Sequence, residues 1–362
     1  LAVSGNQGKI KIPAGTLTDK SGNTSKEMDI MLYTTLVSTS EEQAKTDGFL
    51  GNTSIQRQNI ENVTFVNNVV DANATKWDVS AAKDGSILAW YETSNSNGAL
   101  KVYIGSDNGI FANVDSSYLF AWIGYDSKCK STETITNIDL LNTSNVTSMK
   151  RMFFGTGYTA MTTLDLGNNF DTRSVTNMIE MFKEAGYTAM TTLNLGSMFD
   201  TSNVTSMNSM FAECGYKLLK SLDLGEKFDT SNVIDMGFVF AWTGVETLDS
   251  INLGDKFDTS KATNMEYMFC NTGWGYLTKL DLGDKFATSN VTSMKYMFLG
   301  TGYKTLKTLN LGDKFDTSNV TNMENMFGSI GVNTLTSLDL GNKFDTSKVT
   351  NMKGRFNWTG NG

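Results

Sequence analysis

The sequence predicts a repeat solenoid of short parallel β-strands and short helical turns, preceded by a β-rich N-terminal region. Two regular patterns carry this prediction. The tetrapeptide FDTS and its close variants recur every 29 residues, at Phe170, Phe199, Phe228, Phe257, Phe286, Phe315 and Phe344. The pattern M-x-x-M-F keeps the same interval, with its first methionine at Met149, Met178, Met207, Met236, Met265, Met294, Met323 and Met352. A fixed interval of this length is typical of stacked repeats.

Each unit begins with a short strand. The pattern L-x-x-L-x-L, as in Leu306, Leu309 and Leu311, precedes each FDTS and is the strand signature of a leucine-rich repeat. Side chains alternate along a strand, so Leu309 and Leu311 are predicted to face the core and Asn310 the solvent. A glycine follows every strand, Gly312 in this unit, and suits a tight turn.

The rest of each unit is predicted to return to the next strand. In the unit that contains Asn310, Phe315 and Val320 are predicted to point inward. Met323, Met326 and Phe327 have the i, i+3, i+4 spacing of one helical turn. A second recurring glycine suits a left-handed cap that ends this turn. One unit has too little core to offset its conformational entropy, so residues 113–362 are predicted to stack as about eight 29-residue repeats.

Polar positions also indicate stacking. The outward strand residue alternates between aspartate and asparagine, so that each amide can donate to a carboxylate of a neighbouring layer: Asp165, Asn194, Asp223, Asn252, Asp281, Asn310 and Asp339. A second ladder alternates in sign: Glu266, Lys295, Glu324 and Lys353. Cys214 and Cys270 lie about two layers apart in such a stack, too far for a disulfide, and are predicted to be free thiols. The DTSN residues are predicted to satisfy backbone groups at turns.

The N-terminal third has a different pattern. Residues 1–36 read as strand–turn–strand, and residues 37–112 are predicted to form a β-rich cap with strands at VTFV, SILAWYE and ALKVYIG. Residues 113–124 resemble a decayed M-x-x-M-F segment and are predicted to form the first layer. At the other end, Arg355 replaces the second methionine, which suits a terminal cap. The chain begins with leucine, so we expect a mature form or a fragment.

Composition excludes several classes of function. The 362 residues include no histidine, so catalytic triads that need histidine are absent. A net charge of −8 argues against binding to nucleic acid or to an anionic membrane surface. The three cysteines form no C-x-x-C pair, which disfavours zinc. We therefore expect no enzyme activity, no metal and no cofactor, and a monomer that does not insert into a membrane.

The segment from WDVSAAKDGSILAWYE to VDSSYLF, followed by DTSNVTSMKRMF, resembles the BspA-type leucine-rich-repeat surface proteins of Gram-positive bacteria and mycoplasmas. The likeness runs from about residue 57 to the end, although those proteins commonly use shorter units. Residues 1–36 resemble a bacterial Ig-like surface module. The resemblance implies an extracellular, cell-surface protein that acts in adhesion, with a host or bacterial surface protein or glycan as partner. It supplies no catalytic residues.

A set of aromatic residues is the candidate ligand-binding site. The residue after the second glycine is mostly aromatic, and the irregular layer at 236–245 adds Trp242, which gives the six candidates Tyr158, Tyr187, Tyr216, Trp242, Trp274 and Tyr303. Exposed rings would stack on sugars or on a partner protein. The alternative is an apolar lid over the edge of the core. The exposed strand face, from Thr163 and Asp165 to Ser337 and Asp339, is a second candidate patch.

Three further functions compete with adhesion. A structural stalk that displays a neighbouring domain would have uniform outer faces. Calcium binding would use paired aspartates, Asp255 with Asp258 or Asp313 with Asp316, but lysines intervene and no dense aspartate loop is present. Ice binding would use threonine arrays such as Thr201, Thr230 and Thr259, but no flat T-x-T face recurs.

Overall fold

The computed structural model describes residues 7–12, 14, 18–24, 28–45, 48–69 and 74–360. Residues 1–6, 13, 15–17 and 25–27 of the predicted Ig-like segment lie outside this range, as do residues 361–362. The strand–turn–strand prediction is confirmed for the described part. Strands β1 (Gln7–Ile12) and β2 (Met28–Tyr33) pair antiparallel over their full length.

The segment between this hairpin and the central sheet contains a short helix, α1 (Glu41–Lys45). Ser40 starts the helix with a capping box, because its hydroxyl accepts from the Gln43 N–H (3.1 Å) and the Gln43 side chain accepts from the Ser40 N–H (2.8 Å). Strands β3 (Gly48–Phe49) and β4 (Asn52–Gln56) then form a small antiparallel pair.

The predicted β-rich cap is a mixed sheet of five strands: β5 (Ile60–Val66), β6 (Trp77–Asp78), β7 (Leu88–Thr93), β8 (Leu100–Gly105) and β10 (Ile135–Thr136). Their order in the sheet is β10-β5-β8-β7-β6. The predicted strands at VTFV, SILAWYE and ALKVYIG are confirmed as β5, β7 and β8. Strand β5 pairs parallel with both β8 and β10, so the sheet joins the N-terminal region directly to the repeats. Strands β9 (Ile110–Phe111) and β11 (Leu141–Asn142) form a separate parallel pair.

A buried arginine anchors this junction. Arg57 is fully buried and donates from its guanidinium to the carbonyls of Gly48 (3.0 Å), Tyr118 (2.8 Å) and Leu119 (3.1 Å). Its cation also lies 5.3 Å from the centroid of the Phe49 ring. The guanidinium therefore links the β3–β4 pair to residues 113–124, which form a layer against the first full repeat as predicted.

The remaining strands come from the repeats and are three residues long. They are β12 (Thr163–Asp165), β13 (Thr192–Asn194), β14 (Ser221–Asp223), β15 (Ser250–Asn252), β16 (Lys279–Asp281) and β17 (Thr308–Asn310). Strand pairing is parallel, and partners are 29 residues apart in sequence. The chain is thus a mostly β repeat protein whose successive units lie side by side.

The strands pair in twos, which the sequence analysis did not predict. Among the described residues, β12 pairs with β13, β14 with β15 and β16 with β17. Each pair joins an aspartate layer to the asparagine layer that follows it. The turn glycines show the same alternation: a Cβ at Gly312 would lie 2.7 Å from the Gly283 carbonyl oxygen, whereas one at Gly283 would meet nothing within 4 Å. On the face that carries the strands, the structure therefore repeats every two sequence repeats.

The opposite face is continuous. Bridges between equivalent positions run through every described repeat, through Asp115, Ser148, Asn177, Ser206, Asp235, Asn264, Ser293, Asn322 and Asn351. Behind them lies a column of stacked phenylalanines with ring centroids 5.2–5.7 Å apart: Phe153, Phe182, Phe211, Phe240, Phe269, Phe298, Phe327 and Phe356. The predicted inward positions Leu309, Leu311, Phe315, Val320, Met323, Met326 and Phe327 are all buried.

The prediction of a helical turn at M-x-x-M-F is wrong. Met149 and Arg151 donate their N–H groups to carbonyls of the next repeat (both 2.9 Å), and Met152 donates back to the Met149 carbonyl (3.1 Å). Arg151 also has a left-handed φ of 54°. The segment is a series of β-turns, because alternate N–H groups are used between layers instead of within a helix. Such turns bury the i, i+3, i+4 residues on one side, so the spacing resembled a helix.

The DTSN residues satisfy backbone groups, as predicted. In the clearest case, the buried Thr288 hydroxyl donates to the Asp316 carbonyl and accepts from the Asp316 N–H, each at 2.7 Å. The Asp316 carboxylate in turn accepts from the Ser318 N–H at 2.9 Å. The threonine joins two layers and the aspartate forms the turn.

The two polar ladders are confirmed in part. Asn252 donates to Asp223 (3.1 Å) and Asn310 donates to Asp281 (3.0 Å), each time within a strand pair. In the charged ladder, Lys295 and Glu324 form an ion pair at 3.1 Å. The prediction of free thiols is confirmed as well, since Cys129, Cys214 and Cys270 are free and buried.

Candidate functional site

The three predicted tyrosines stack into one column. The ring centroids of Tyr158 and Tyr187 lie 4.8 Å apart and those of Tyr187 and Tyr216 lie 4.6 Å apart, with planes within 12° of parallel. Tyr125 extends the column at 4.5 Å from Tyr158. The sequence prediction did not include Tyr125, although it follows Gly124 as Tyr158 follows Gly157.

The backbone positions these rings. Gly157 and Gly186 adopt left-handed φ values of 62° and 57°, which turn the chain at the edge of each layer. The residue after each tyrosine bonds to the previous layer; the Thr188 N–H, for example, donates to the Tyr158 carbonyl at 3.0 Å. Equivalent tyrosines are therefore one layer apart, which is the spacing that lets their rings stack.

Trp274 and Tyr303 form a separate pair further along the column. Their ring centroids lie 4.8 Å apart and their planes differ by 7°. Lys304 places its ammonium nitrogen 4.2 Å from the centroid of the Trp274 ring, a cation–π contact. Val245 occupies the layer between Tyr216 and Trp274, so the column of rings is interrupted there.

Trp242 does not belong to this column. It lies two residues before Gly244, whereas the column residues follow their glycines, and its ring lies 6.4 Å from Phe238 and 6.3 Å from Tyr267. Phe238, Tyr267 and Tyr296 form a second stack, with centroids 4.5 and 4.7 Å apart. The structure thus places the six predicted residues in three groups.

The rings of the column cover one another's faces. Tyr158, Tyr187, Tyr216, Trp274 and Tyr303 are all half-buried, and each stacked ring covers a face of its neighbour. A ligand that stacks on an aromatic ring needs a free face. The two faces that no ring of the column covers at the interruption belong to Tyr216 and Trp274, on either side of Val245.

Carboxylates line the tyrosine stack. Burial raises the pKa of Tyr187 to about 12, with further contributions from Tyr216, Tyr158, Glu213 and Glu184. Burial, followed by the charges of Glu246 and Glu213, also raises the pKa of Tyr216. The hydroxyls of Tyr187 and Tyr216 are therefore protonated at neutral pH.

The exposed strand face offers a second, acidic surface. A cleft of about 660 Å³ lies between β15 and β16, and Asp255, Asp281 and Asp284 contribute to its walls. It opens between two strand pairs, where strand pairing is interrupted. Among the described residues no group of three or more histidine, cysteine or acidic side chains has the geometry of a metal site.

Several aspartates and threonines that were considered as candidates for calcium or ice binding have structural roles. The carboxylates of Asp258 and Asp316 accept hydrogen bonds from Ser260 and Ser318 N–H groups, both at 2.9 Å. The threonine array is buried between layers and presents no surface: Thr201, Thr230 and Thr259. None of the described helices has the length and apolar character needed to cross a membrane.

A family model matches the chain in three overlapping stretches, residues 125–244, 187–302 and 276–361, which together cover more than half of its length. The stretches coincide with the 29-residue repeats and with both aromatic stacks. Searches of curated proteins and of solved structures give no match. Because this model matches the repeats over more than half of the chain, the chain belongs to the family described as "Mycoplasma protein of unknown function, DUF285".

Proposed function

We propose that this protein is a non-enzymatic binding or adhesion protein of the bacterial cell surface, and that its repeats form a leucine-rich-repeat solenoid of the BspA type. Parallel pairing at 29-residue intervals and the buried L-x-x-L-x-L positions support the solenoid. In this proposal residues 113–362 form the solenoid, residues 37–112 cap it, and residues 1–36 belong to an Ig-like module.

One observation carries the proposal of binding. The aromatic column departs from repeat symmetry between Tyr216 and Trp274, and large apolar side chains are exposed beside it. Tyr276 is 60% exposed and Leu218 is 43% exposed. Exposed aromatic and apolar groups without a structural partner are typical of interaction surfaces.

The alternative is a structural stalk or spacer. The continuous ladder of bridges and the repeated DTSN turns favour it, since both give outer faces that change little from layer to layer. A spacer needs no ligand, whereas an adhesion protein needs one. The two functions therefore differ in a direct binding measurement.

The experiment is a glycan and extracellular-matrix protein array probed with the purified chain and with a Trp274→Ala, Tyr303→Ala double variant. Adhesion predicts that the wild-type chain binds a subset of spots and that the double variant loses this binding. A matched control, Tyr91→Ala, removes an exposed aromatic ring of β7 that lies outside both stacks. If the wild-type chain binds no spot on the array, the spacer function is favoured. If the double variant binds as the wild-type chain does but melts at a lower temperature, the two rings contribute to stability and not to binding.

A further inference from the structure

Two layers of the stack carry the same five-residue pattern. An aromatic residue, one apolar residue and the tripeptide FAW follow one another at residues 118–122 (YLFAW) and at residues 238–242 (FVFAW). We call these segments the first platform and the second platform. Each begins three residues after a member of the continuous bridge ladder, Asp115 or Asp235. Both platforms therefore occupy the same place in their layers.

The two platforms have the same geometry. The ring centroids of Tyr118 and Trp122 lie 6.4 Å apart with planes 24° from parallel, and those of Phe238 and Trp242 lie 6.4 Å apart with planes 22° from parallel. The four residues have left-handed φ values between 56° and 60°. The backbone thus presents the same pair of rings twice on the same side of the molecule.

A helix covers the first platform. Ala44 of α1 is 1% exposed and packs in a small apolar cluster with Tyr118 and Ala121, against which Trp122 also packs. Beneath the helix Tyr118 is only 3% exposed. The chain itself therefore shows what fits this arrangement of rings, which is a short helix that places an alanine against them.

The second platform has no such cover. Among the described residues α1 is the one α-helix, and it lies on the first platform. Phe238 and Trp242 are half-buried, although Ala241 between them in sequence is fully buried. Tyr267 and Tyr296 continue the stack of Phe238 at 4.5 and 4.7 Å and are half-buried as well. These four rings form an aromatic surface of the kind that marks interaction sites.

The surroundings of the first platform are basic on balance. The turn segments at residues 116–125, 149–158 and 178–187 carry three basic and two acidic side chains: Lys150, Arg151, Lys183, Glu180 and Glu184. The first turn of α1 is acidic, and its Glu41 carboxylate lies 3.3 Å from the Arg151 guanidinium. The covering helix and the first platform are therefore complementary in charge.

The surroundings of the second platform are acidic. The turn segments from residues 207–216 to 294–303 carry Glu213, Glu266 and Lys295, and Lys295 is already paired with Glu324 of the next repeat at 3.1 Å. The aspartate that precedes each platform is common to both. Three further charged residues each directly follow a position of the tyrosine column and belong to that edge of the layers: Lys217, Glu246 and Lys304. A helix on the second platform would therefore meet a negative rim.

We propose that the second platform binds a short helix of a partner protein, which packs an alanine or another small residue against Phe238 and Trp242 and carries lysine or arginine in its first turn. The helix takes the place that α1 takes on the first platform. Its charge is reversed because Tyr267 stands where the first platform has Arg151, and because the acidic rim attracts a basic segment. This inference goes beyond the proposed function, since it concerns another surface and names the structural class of the partner.

The probe is a stapled helical peptide with the sequence of residues 39–46, made in two forms. One form keeps Glu41 and Glu42, and the other has lysine at both positions. We expect the full chain to bind the lysine form at least about tenfold more tightly in calorimetry, a difference of roughly 1.4 kcal/mol. A third peptide combines the two lysines with Ala44→Gln and should bind no better than the glutamate form, because the larger side chain faces the rings. Equal binding of the first two forms would overturn the proposal.

A double variant locates the site, since a chain with a net charge of −8 also attracts basic peptides in general. Phe238→Asn with Trp242→Asn removes both rings and should abolish the preference for the lysine form. Asparagine occupies the equivalent positions of other repeats as Asn325 and Asn271, with left-handed φ values of 50° and 54°, so the variant keeps the backbone. The matched control is Trp358→Asn, at the equivalent position of the last repeat, which should leave binding unchanged. Thermal unfolding checks that each variant is folded.

A charge variant tests the acidic rim. Glu266→Lys reverses one charge beside the second platform and should reduce the preference for the lysine form. Glu226→Lys is the matched control, because it changes the net charge equally at an exposed turn that follows β14. An equal loss in both variants would show general attraction and would contradict the proposal.

The outcomes separate this inference from the proposed function. If the asparagine double variant keeps the preference for the lysine peptide, the second platform is not the site and the inference fails. If the array shows binding that depends on Trp274 and Tyr303 but no lysine peptide binds, the inference fails and the proposed function stands. If the lysine peptide binds through the second platform while the array shows no binding, the inference holds and adhesion through the aromatic column fails.

Discussion

The side-chain amide of Asn310 donates a hydrogen bond of 3.0 Å to the carboxylate of Asp281, the equivalent residue of the preceding repeat. Burial alone would raise the pKa of Asp281, but hydrogen bonds from Lys279 and from the Gly283 N–H, together with the charge of Lys279, hold that pKa below its ordinary value. The contact joins β16 to β17, and the corresponding contact of Asn252 with Asp223 joins β14 to β15. The alternation of aspartate and asparagine thus coincides with strand pairing in twos.

Asn310→Asp should destabilise the protein at neutral pH. The substitution places two carboxylates side by side and removes the donor, which costs about 0.2–1 kcal/mol for like charges opposite each other in a sheet. Repulsion raises both carboxyl pKa values in the folded state, so the loss should be present above those pKa values and should shrink as pH falls through them. Urea unfolding at pH 7 and at pH 4 measures the difference. The swap Asp281→Asn with Asn310→Asp restores an amide–carboxylate pair and should recover most of the stability; a swap as unstable as the single variant would contradict this reading.

Thr288→Val should cost about 2–6 kcal/mol. The substitution keeps the shape of the buried side chain but leaves the N–H and the carbonyl of Asp316 without their partner, at about 1–3 kcal/mol for each buried group. The change in the free energy of unfolding is measured by chemical denaturation. Thr292→Val is the matched control, because Thr292 is exposed and its hydroxyl makes a long bond of 3.4 Å to the Thr263 carbonyl. An equal loss in both variants would contradict a special role for the buried threonines.

Arg57→Met should destabilise the junction between the N-terminal region and the repeats by about 3 kcal/mol or more. Methionine fills part of the volume but removes the guanidinium donor from the carbonyls of Gly48, Tyr118 and Leu119, of which the Tyr118 carbonyl keeps the Ala121 N–H (3.1 Å). Hydrogen exchange followed by mass spectrometry should show faster exchange in β3, β4 and residues 113–124 than in the central repeats. Lys101→Met, an exposed position on β8, should leave both the stability and the exchange pattern nearly unchanged. A uniform increase in exchange along the whole chain would argue against a local junction.

Glu184→Gln should stabilise the protein at neutral pH by a few tenths of a kcal/mol, the scale of single charge effects near a surface. Burial and the charges of Glu213 and Glu180 raise the pKa of Glu184, and Lys183 offsets this only in part. A raised carboxyl pKa lowers stability as pH rises from the unfolded-state pKa through the folded-state pKa. The gain of the variant should therefore be small at pH 4 and full at pH 7, as measured by melting temperature at both values. A gain in melting temperature that is larger at pH 4 than at pH 7 would contradict the raised pKa of Glu184.

The inward positions were predictable from sequence because burial depends on the period of the pattern alone. Leu309, Leu311, Phe315 and Val320 are buried as predicted, and the DTSN residues satisfy backbone groups. The helical turn was not predictable, since β-turns that bond to the next layer give M-x-x-M-F the same inward spacing as a helix. For the candidate site, the stacking of Tyr158, Tyr187 and Tyr216 followed from their spacing, whereas the placement of Trp242 beside Phe238 did not.

The sequence by itself determined the repeat length, the residues of the core and the layer-to-layer register, because a strict 29-residue interval leaves one way to superpose equivalent side chains. Only the tertiary structure decided how neighbouring layers use their hydrogen bonds. Strand pairing in twos depends on where each backbone N–H finds its acceptor. The second aromatic stack depends on the contacts of Phe238, Tyr267 and Tyr296, which come from three successive repeats. Both are properties of contacts between layers, which the order of residues within one repeat does not contain.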